Sequence, residues 1–329
     1  MKNTLSALLN AYGPTGREDR ISAVIEQMVT PYVDEVCRDA MGNLICVRRG
    51  EGKRVMLAAH MDQIGFMVTD IDENGFLRVA AVGGINAYNS IHRRVVFENG
   101  VTGVIARETR DVKIEAVAMD RMFIDIGTED RQAAESMVSI GDVAVYVPDV
   151  AFLQNDMVTA PALDNRAGCA VLVETLKAIH TRNNQICAVF TVQEEVGLRG
   201  AKAAAFDLEP DFGIALDVTL CGDTPKGPRI SVKAGKGPCV KIMDSSVVCA
   251  PVVVEKMEQA AEKAGVPWQR EVLTAGGTDA GAMQLTRGGV PSGVLSIPCR
   301  YVHSACETAS LRDMQNGVKL MAALLNATI

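Results

Sequence analysis

The pattern of strands and helices changes twice along this chain of 329 residues. From about residue 65 to residue 147, short apolar or alternating runs follow one another, separated by Asn-Gly, Gly-Gly and charged turns. Such spacing is typical of a small β-barrel or sandwich. After residue 163 strand-like and helix-like segments alternate, which favours a mostly parallel sheet flanked by helices. We therefore predict an α/β domain made of residues 1–64 and 154–329, with an all-β, barrel-like domain inserted at residues 65–153.

The charge and apolar content exclude several classes of protein. Lys and Arg number 33 against 40 Asp and Glu, without a long run of either sign, so nucleic acid is not an expected partner. The N-terminal segment lacks the pattern of a signal peptide, and no apolar run reaches the roughly 18 residues of a membrane span. We expect a cytoplasmic protein that has no membrane partner.

Cysteine placement argues against two kinds of site. The nine cysteines are widely scattered and never form a CxxC pair. This spacing predicts neither a disulfide framework nor a thiolate zinc site.

Two adjacent glutamates, Glu194 and Glu195, end a strand-like run in FTVQEEVGLRG. An acidic pair in this position is often a solvated turn before a helix, because carboxylates are rarely buried without partners. The glutamate pair indicates a functional site only if other strands bring histidine or carboxylate side chains close to it.

Partners are expected where α/β sheets bind ligands, outside the carboxyl ends of the strands. Three other predicted strands end near a histidine or carboxylate, namely His60 with Asp62, Asp217 and His303. In addition, Asp164 begins the helix that precedes the glutamate strand. Each has a simpler explanation: Asp164 as a helix N-cap, Asp217 as the start of a turn, His60 as a core histidine. Helix caps and turns, however, do not explain convergence on one sheet edge.

Converging carboxylates repel one another and raise one another's pKa unless a cation lies among them. Histidines and carboxylates without thiolates suit zinc, cobalt or manganese. The number of ligands suggests two ions, as in hydrolytic two-metal sites.

The chain resembles the dinuclear-metal aminopeptidases of the tetrahedral (TET) family, which includes glutamyl aminopeptidases and glucanase-like proteins. The matching motifs span nearly the whole chain and occur in family order: AAHMDQIGFMV, ALDNRAG, QEEVGLRGA, ALDVT, GGTDAGAMQ and RYVHS. The resemblance implies a catalytic domain of zinc-peptidase type and an inserted β domain used for self-association. Two segments of the insert depart from the family pattern, IHRRVVF and ARETRDVKIEAVAMD. Because the insert is the part that the family uses for self-association, the resemblance is compatible with either a dimer or a dodecamer.

The resemblance also implies a role for each site residue. His60 and Asp217 would bind one metal ion, Glu195 and His303 the other, and Asp164 would bridge them. Glu194 would be the general base for a water activated by both ions. Asp62, two residues after His60, would orient the imidazole. GGTDAGAM, residues 276–283, is assigned to the cleft wall, with a structural turn as the alternative.

The expected function is that of a metal-dependent aminopeptidase acting on short peptides with a free N-terminus. Zinc is the first choice of metal, and cobalt or manganese would also fit. The alternatives are another amide hydrolase of the same metal type, such as a deacylase, or a non-catalytic assembly protein.

Overall fold

The computed structural model describes residues 1–109 and 117–329. The divergent stretch ARETRDVKIEAVAMD, residues 106–120, therefore lies partly outside the described residues. Among the helices of the described part, none is long and apolar enough to cross a membrane. All nine cysteines are unpaired, and seven of them are buried.

One large sheet organises most of the chain. It contains eleven strands: β1 (Glu35–Arg38), β2 (Leu44–Arg48), β3 (Arg54–His60), β10 (Ala151–Phe152), β11 (Met157–Ala160), β12 (Gln185–Thr191), β13 (Phe212–Leu220), β14 (Cys239–Met243), β15 (Gln269–Val272), β16 (Ser292–Arg300) and β17 (Glu307–Ser310). Their order is β1-β2-β12-β3-β13-β16-β17-β11-β10, with β14 pairing with both β15 and β16.

Parallel pairing is concentrated in the middle of this sheet. Strands β12, β3, β13 and β16 pair in parallel, whereas their outer neighbours β2, β17 and β14 pair antiparallel with them. The central strands are buried almost throughout, which explains their continuous apolar sequences. Since parallel strands run in one direction, their carboxyl ends share one edge of the sheet.

Helices cover the sheet and contribute to its core. Those outside the barrel are α1 (Lys2–Leu9), α2 (Asp19–Val29), α5 (Leu163–Ala178), α6 (Arg199–Leu208), α7 (Pro251–Ala264), α8 (Asp279–Gln284) and α9 (Leu311–Leu325). Helix α5 is buried along most of its length, because it packs against β3, β13, α1 and α9. This burial accounts for the apolar sequence CAVLV near its centre.

The inserted segment forms a separate barrel. Its six strands close in the order β4-β5-β8-β7-β6-β9, and every pairing is antiparallel. The elements are β4 (Gly65–Ile71), β5 (Leu77–Val82), α3 (Ala87–Ser90), β6 (Arg94–Phe97), β7 (Thr102–Arg107), β8 (Met122–Asp125), α4 (Arg131–Glu135) and β9 (Val143–Tyr146). The barrel has its own apolar core, in which Phe66 and Tyr146 pack edge to face with their centroids 5.4 Å apart.

The predicted fold class, an α/β sheet flanked by helices with an inserted β-barrel, is confirmed. The sheet contains both parallel and antiparallel strand pairs. The carboxyl ends of its parallel strands lie at the candidate site. The division into residues 1–64 plus 154–329 and residues 65–153, and the use of the insert in self-association, stay predictions.

Candidate metal centre

The carboxyl ends of the central strands deliver four of the site residues. His60 is the last residue of β3 and pairs in register with Thr191 at the end of β12. Glu194 and Glu195 lie three and four residues after the end of β12. Asp217 lies inside β13 rather than after its end, since that strand continues to Leu220. The parallel register therefore brings the glutamate pair to the histidine.

The donor atoms converge into two overlapping groups. Within each of the groups His60, Asp164, Glu195 and His60, Glu194, Asp217, one donor atom per residue lies within 4.8 Å of the others. His60 Nε2 is 3.1 Å from Asp164 Oδ1, 3.7 Å from Asp217 Oδ1 and 3.9 Å from Glu194 Oε2. The side chains that sequence analysis proposed as partners therefore do meet.

His303 is the second imidazole of the cluster and contacts the other carboxylate oxygen of Asp164. It follows β16 by three residues, and its Nε2 lies 3.3 Å from Asp164 Oδ2 and 3.2 Å from Glu195 Oε2. One oxygen of Asp164 thus faces His60, and the other faces His303. This arrangement is what a bridging carboxylate requires.

Asp164 does not act as the helix N-cap. The backbone of Asp164 and Asn165 is not helical, so the regular part of α5 begins after them, and Asn165 caps it by accepting the backbone N–H of Gly168 on its Oδ1 at 2.9 Å. The carboxylate of Asp164 is free to face the two histidines, which removes the simpler explanation of this residue.

Asp62 contacts His60 and also holds the glutamate turn. Its Oδ1 is 3.4 Å from His60 Nδ1. It further accepts the backbone N–H groups of Glu194 at 3.1 Å and Glu195 at 3.3 Å, and the hydroxyl of Thr15 at 2.8 Å. The contact with the imidazole matches the role proposed from sequence, whereas the contacts with the glutamate turn were not foreseen.

His303 has a different support. Its Nδ1 lies 2.8 Å from the carbonyl oxygen of Gly84, which follows β5 of the barrel. We therefore call His60, Glu194 and Asp217 the sheet end of the cluster, and Glu195 and His303 the barrel end.

Three further buried carboxylates were not identified from sequence. Glu307 accepts the backbone N–H groups of Asp164 and His303, each at 2.8 Å. Asp279 accepts the hydroxyl of Thr191 at 2.5 Å. Glu18 accepts the N–H of Gln193 at 3.2 Å, and burial raises its pKa to about 7. Glu307 begins the strand ETAS, whose four residues are all buried, and its position four residues after His303 was the available signal.

The electrostatics of the cluster favour bound cations. Burial raises the pKa values of Glu194 and Asp217 well above the usual range. Burial also acts to lower the pKa values of the histidines, but nearby carboxylates raise them, well above the usual value for His60 and to about 12 for His303. Without a cation, the cluster is therefore neutralised only by protonating its imidazoles and some of its buried carboxylates.

One orphaned oxygen supports the same conclusion. Glu195 Oε1 is buried and has no hydrogen-bond partner among the described residues. Buried polar atoms are otherwise paired in nearly all cases. The donor set of two imidazoles and several carboxylates fits divalent cations.

The cluster opens into a cleft of about 460 Å³, a volume common for small-ligand sites. Apart from the cluster and Lys241, the cleft is lined by mainly apolar or small residues, namely Gly84, Leu198, Val218, Thr219, Leu220, Leu273, Ala275, Gly276, Gly277 and Val302. The first two glycines of GGTDAGAM thus contribute to the wall, while its Asp279 is buried behind it.

Known proteins resemble the chain along almost its whole length. The profile of the M42 glutamyl aminopeptidase family matches residues 42–320. A putative aminopeptidase of Acetivibrio thermocellus is 50% identical over 321 residues, covering 98% of this chain and 97% of that protein.

Solved structures agree in fold. An aminopeptidase of Desulfurococcus kamchatkensis superposes with a TM-score of 0.94 at 34% identity, covering 98% of this chain and 94% of its own. The TET1 peptidase of Pyrococcus horikoshii superposes with a TM-score of 0.89 at 34% identity, covering 98% of each chain. The chain belongs to the M42 glutamyl aminopeptidase family and is a peptide hydrolase.

Proposed function

We propose that the protein is a two-metal aminopeptidase that removes residues one at a time from the N-terminus of short peptides. The observation that carries this proposal is the position of Asp164, whose two oxygens face His60 at 3.1 Å and His303 at 3.3 Å. A carboxylate shared between two histidines provides a bridge for a pair of ions.

The proposed ligand sets follow this geometry. His60 and Asp217 would hold one ion and Glu195 and His303 the other, with Asp164 between them. Divalent cations there would polarise the peptide carbonyl and lower the pKa of water. Zinc is the first choice, and cobalt or manganese also suits nitrogen and oxygen donors.

Glu194 is the proposed general base. It lines the cleft, and its backbone is fixed through the N–H bond to Asp62. From there its carboxylate would take a proton from the attacking water and deliver it to the leaving amine. Because Glu194 also lies within 4.8 Å of His60 and Asp217 donor atoms, it competes as a ligand, and the two roles need separate tests.

Recognition of a free N-terminus is supported by the charges around the cleft. Carboxylates dominate the cluster, which suits an α-amine. The arginines near the motifs are engaged elsewhere: Arg166 donates to the carbonyls of Leu8 and Ala11, and Arg300 pairs with Asp223. No arginine is among the described residues that line the cleft, and Lys241, which does line it, pairs with Asp244 at 3.1 Å and Glu271 at 3.0 Å, so an α-carboxylate meets no unpaired cation there.

Self-association is proposed by analogy. The Pyrococcus horikoshii TET1 peptidase assembles into a tetrahedron or a large octahedral shell. We infer that this chain also forms a homo-oligomer, a dimer or a dodecamer, through its barrel. Light scattering on the purified protein distinguishes these sizes from a monomer.

The test of activity uses one short peptide in three forms: free, N-acetylated and C-amidated. The zinc-loaded enzyme is expected to shorten the free and amidated forms stepwise and to leave the acetylated form intact, as followed by mass spectrometry. A chelator should abolish the reaction, and added metal should restore it. Removal of the acetyl group instead would favour the deacylase alternative, and a need for the free carboxylate would contradict the assignment.

A further inference from the structure

The loop that follows β5 reaches from the barrel to the metal centre. The carbonyl of Gly84 can only accept a hydrogen bond, so the bond of 2.8 Å to His303 Nδ1 requires the proton on that nitrogen. In the neutral ring the lone pair then lies on Nε2, the atom that faces Asp164 and Glu195. Such contacts commonly fix the tautomer and orientation of metal-binding histidines.

Two adjacent glycines permit this approach. A Cβ atom on Gly84 would lie 2.8 Å from His303 Nδ1, closer than real Cβ contacts come. A Cβ atom on Gly83 would lie 3.2 Å from both Cβ and Oε2 of Glu195, and Gly83 also has a φ of +84°. The glycine pair therefore packs its backbone against both residues of the barrel end.

Among the described residues, no barrel group makes a comparable hydrogen bond to the side chains of the sheet end. His60 Nδ1 contacts Asp62, which lies two residues further along the same chain segment. The side chain of His60 is 2% exposed, whereas that of His303 is 32% exposed. Burial in the sheet restrains the first histidine, while the second depends more on its one hydrogen bond to the loop.

We propose that Gly83 and Gly84 are positioning residues through which the barrel sets the affinity of the barrel end for its metal ion. The inference rests on the proposed function, because it requires an ion at Glu195 and His303. Linkage then works in both directions: a loop that favours ion binding must itself be stabilised when the ion binds.

The first experiment compares Gly84→Ala with wild type. The matched control is Gly288→Ala, since a Cβ there meets no atom within 4 Å and its φ lies outside the left-handed region. Zinc binding is titrated calorimetrically on metal-free protein, and bound zinc is counted by elemental analysis. We expect two ions in wild type and control, and in Gly84→Ala one ion bound normally and one weakened by about 10- to 100-fold, the usual loss when the support of a ligand is removed.

His303→Ala separates the failure of this inference from the failure of the proposed function. If His303→Ala loses one ion while Gly84→Ala binds both as wild type does, the positioning role is overturned and the two-ion site stands. If His303→Ala keeps both ions with normal affinity, the proposed ligand set is wrong, and the inference falls with it.

A measurement on the wild-type protein avoids any folding defect of the variant. Zinc should slow hydrogen exchange at the amides of residues 83–86, because ion binding and loop order are coupled. The turn after β4, residues 72–76, serves as an internal reference in the same barrel. Equal exchange of residues 83–86 with and without saturating zinc would overturn the proposal.

Discussion

The two histidines of the metal centre are held by different parts of the molecule. His60 ends a central parallel strand, is almost fully buried and is supported by Asp62 nearby in the chain. His303 lies in an irregular segment with a φ of +60° and bonds to a barrel residue 219 positions away. One end of the centre is therefore built into the sheet, and the other depends on how the insert is placed.

This difference indicates how an insertion can become part of an active site. The side chains of the sheet end are held in place by burial and by the strands that carry them. A substitution there is therefore expected to reduce packing in the fold as well as metal binding. At the barrel end, the imidazole of His303 is 32% exposed and bonds to a residue of the barrel loop, so we expect a local change there to cost less packing. We expect the ends to respond differently to substitution, and the predictions below run from the largest effect to the smallest.

Glu194→Gln is expected to lower turnover by about 10³-fold, the scale of a lost general base, while zinc content stays at the wild-type level. Peptide cleavage and elemental analysis on the same sample check both parts. Loss of one ion would instead make Glu194 a ligand of the sheet end, as its proximity to His60 and Asp217 permits.

Asp62→Asn is expected to weaken zinc binding at the sheet end by about 10- to 100-fold. The amide offers one acceptor oxygen in place of two, while Thr15, Glu194 and Glu195 all donate to Asp62. Competition with a chromophoric chelator measures the affinity, and Asp211→Asn, at a partly exposed carboxylate, is the control. If only the barrel end weakens, the proposed separation of the two ends is wrong.

Glu307→Gln is expected to weaken the ion at the barrel end by about tenfold, with a smaller effect on the sheet end. The amide nitrogen replaces one of the oxygens that accept from His303 and Asp164, so a donor then faces a donor. Zinc calorimetry measures the change, with Glu209→Gln, at an exposed carboxylate, as the control. Equal weakening at both ends would indicate that Glu307 acts mainly through Asp164.

Sequence analysis foresaw best which side chains meet where they lie at strand ends. His60, Glu194 and Asp217 all belong to apolar strands or follow them within three residues, and parallel pairing places such residues at one edge of the sheet. Asp164 was ambiguous, because its position in the first turn of a helix by itself favours a cap over a ligand. Only the hydrogen bond from the Gly168 N–H to Asn165 Oδ1 resolved that ambiguity.

Glu307, Gly83 and Gly84, unlike Asp62, were not assigned a supporting role from the sequence, for a physical reason. Glu307 lies 143 positions from Asp164, to whose amide it bonds, and neither periodicity nor motif spacing encodes such a pair. Gly83 and Gly84 resemble an ordinary turn between strands. Their closeness to Glu195 and His303 exists only after the barrel and the sheet have packed.

The sequence by itself determined the α/β class, the inserted barrel and the set of acidic and imidazole groups at the carboxyl edge, because these follow from local periodicity and strand direction. Tertiary structure alone decided that Asp164 lies between two histidines, that Asp62 holds the glutamate turn and that a barrel carbonyl orients His303. Those features depend on distances of 2.8 to 3.3 Å between groups far apart in the chain. Only the packing of side chains and loops in the folded molecule sets distances of that kind.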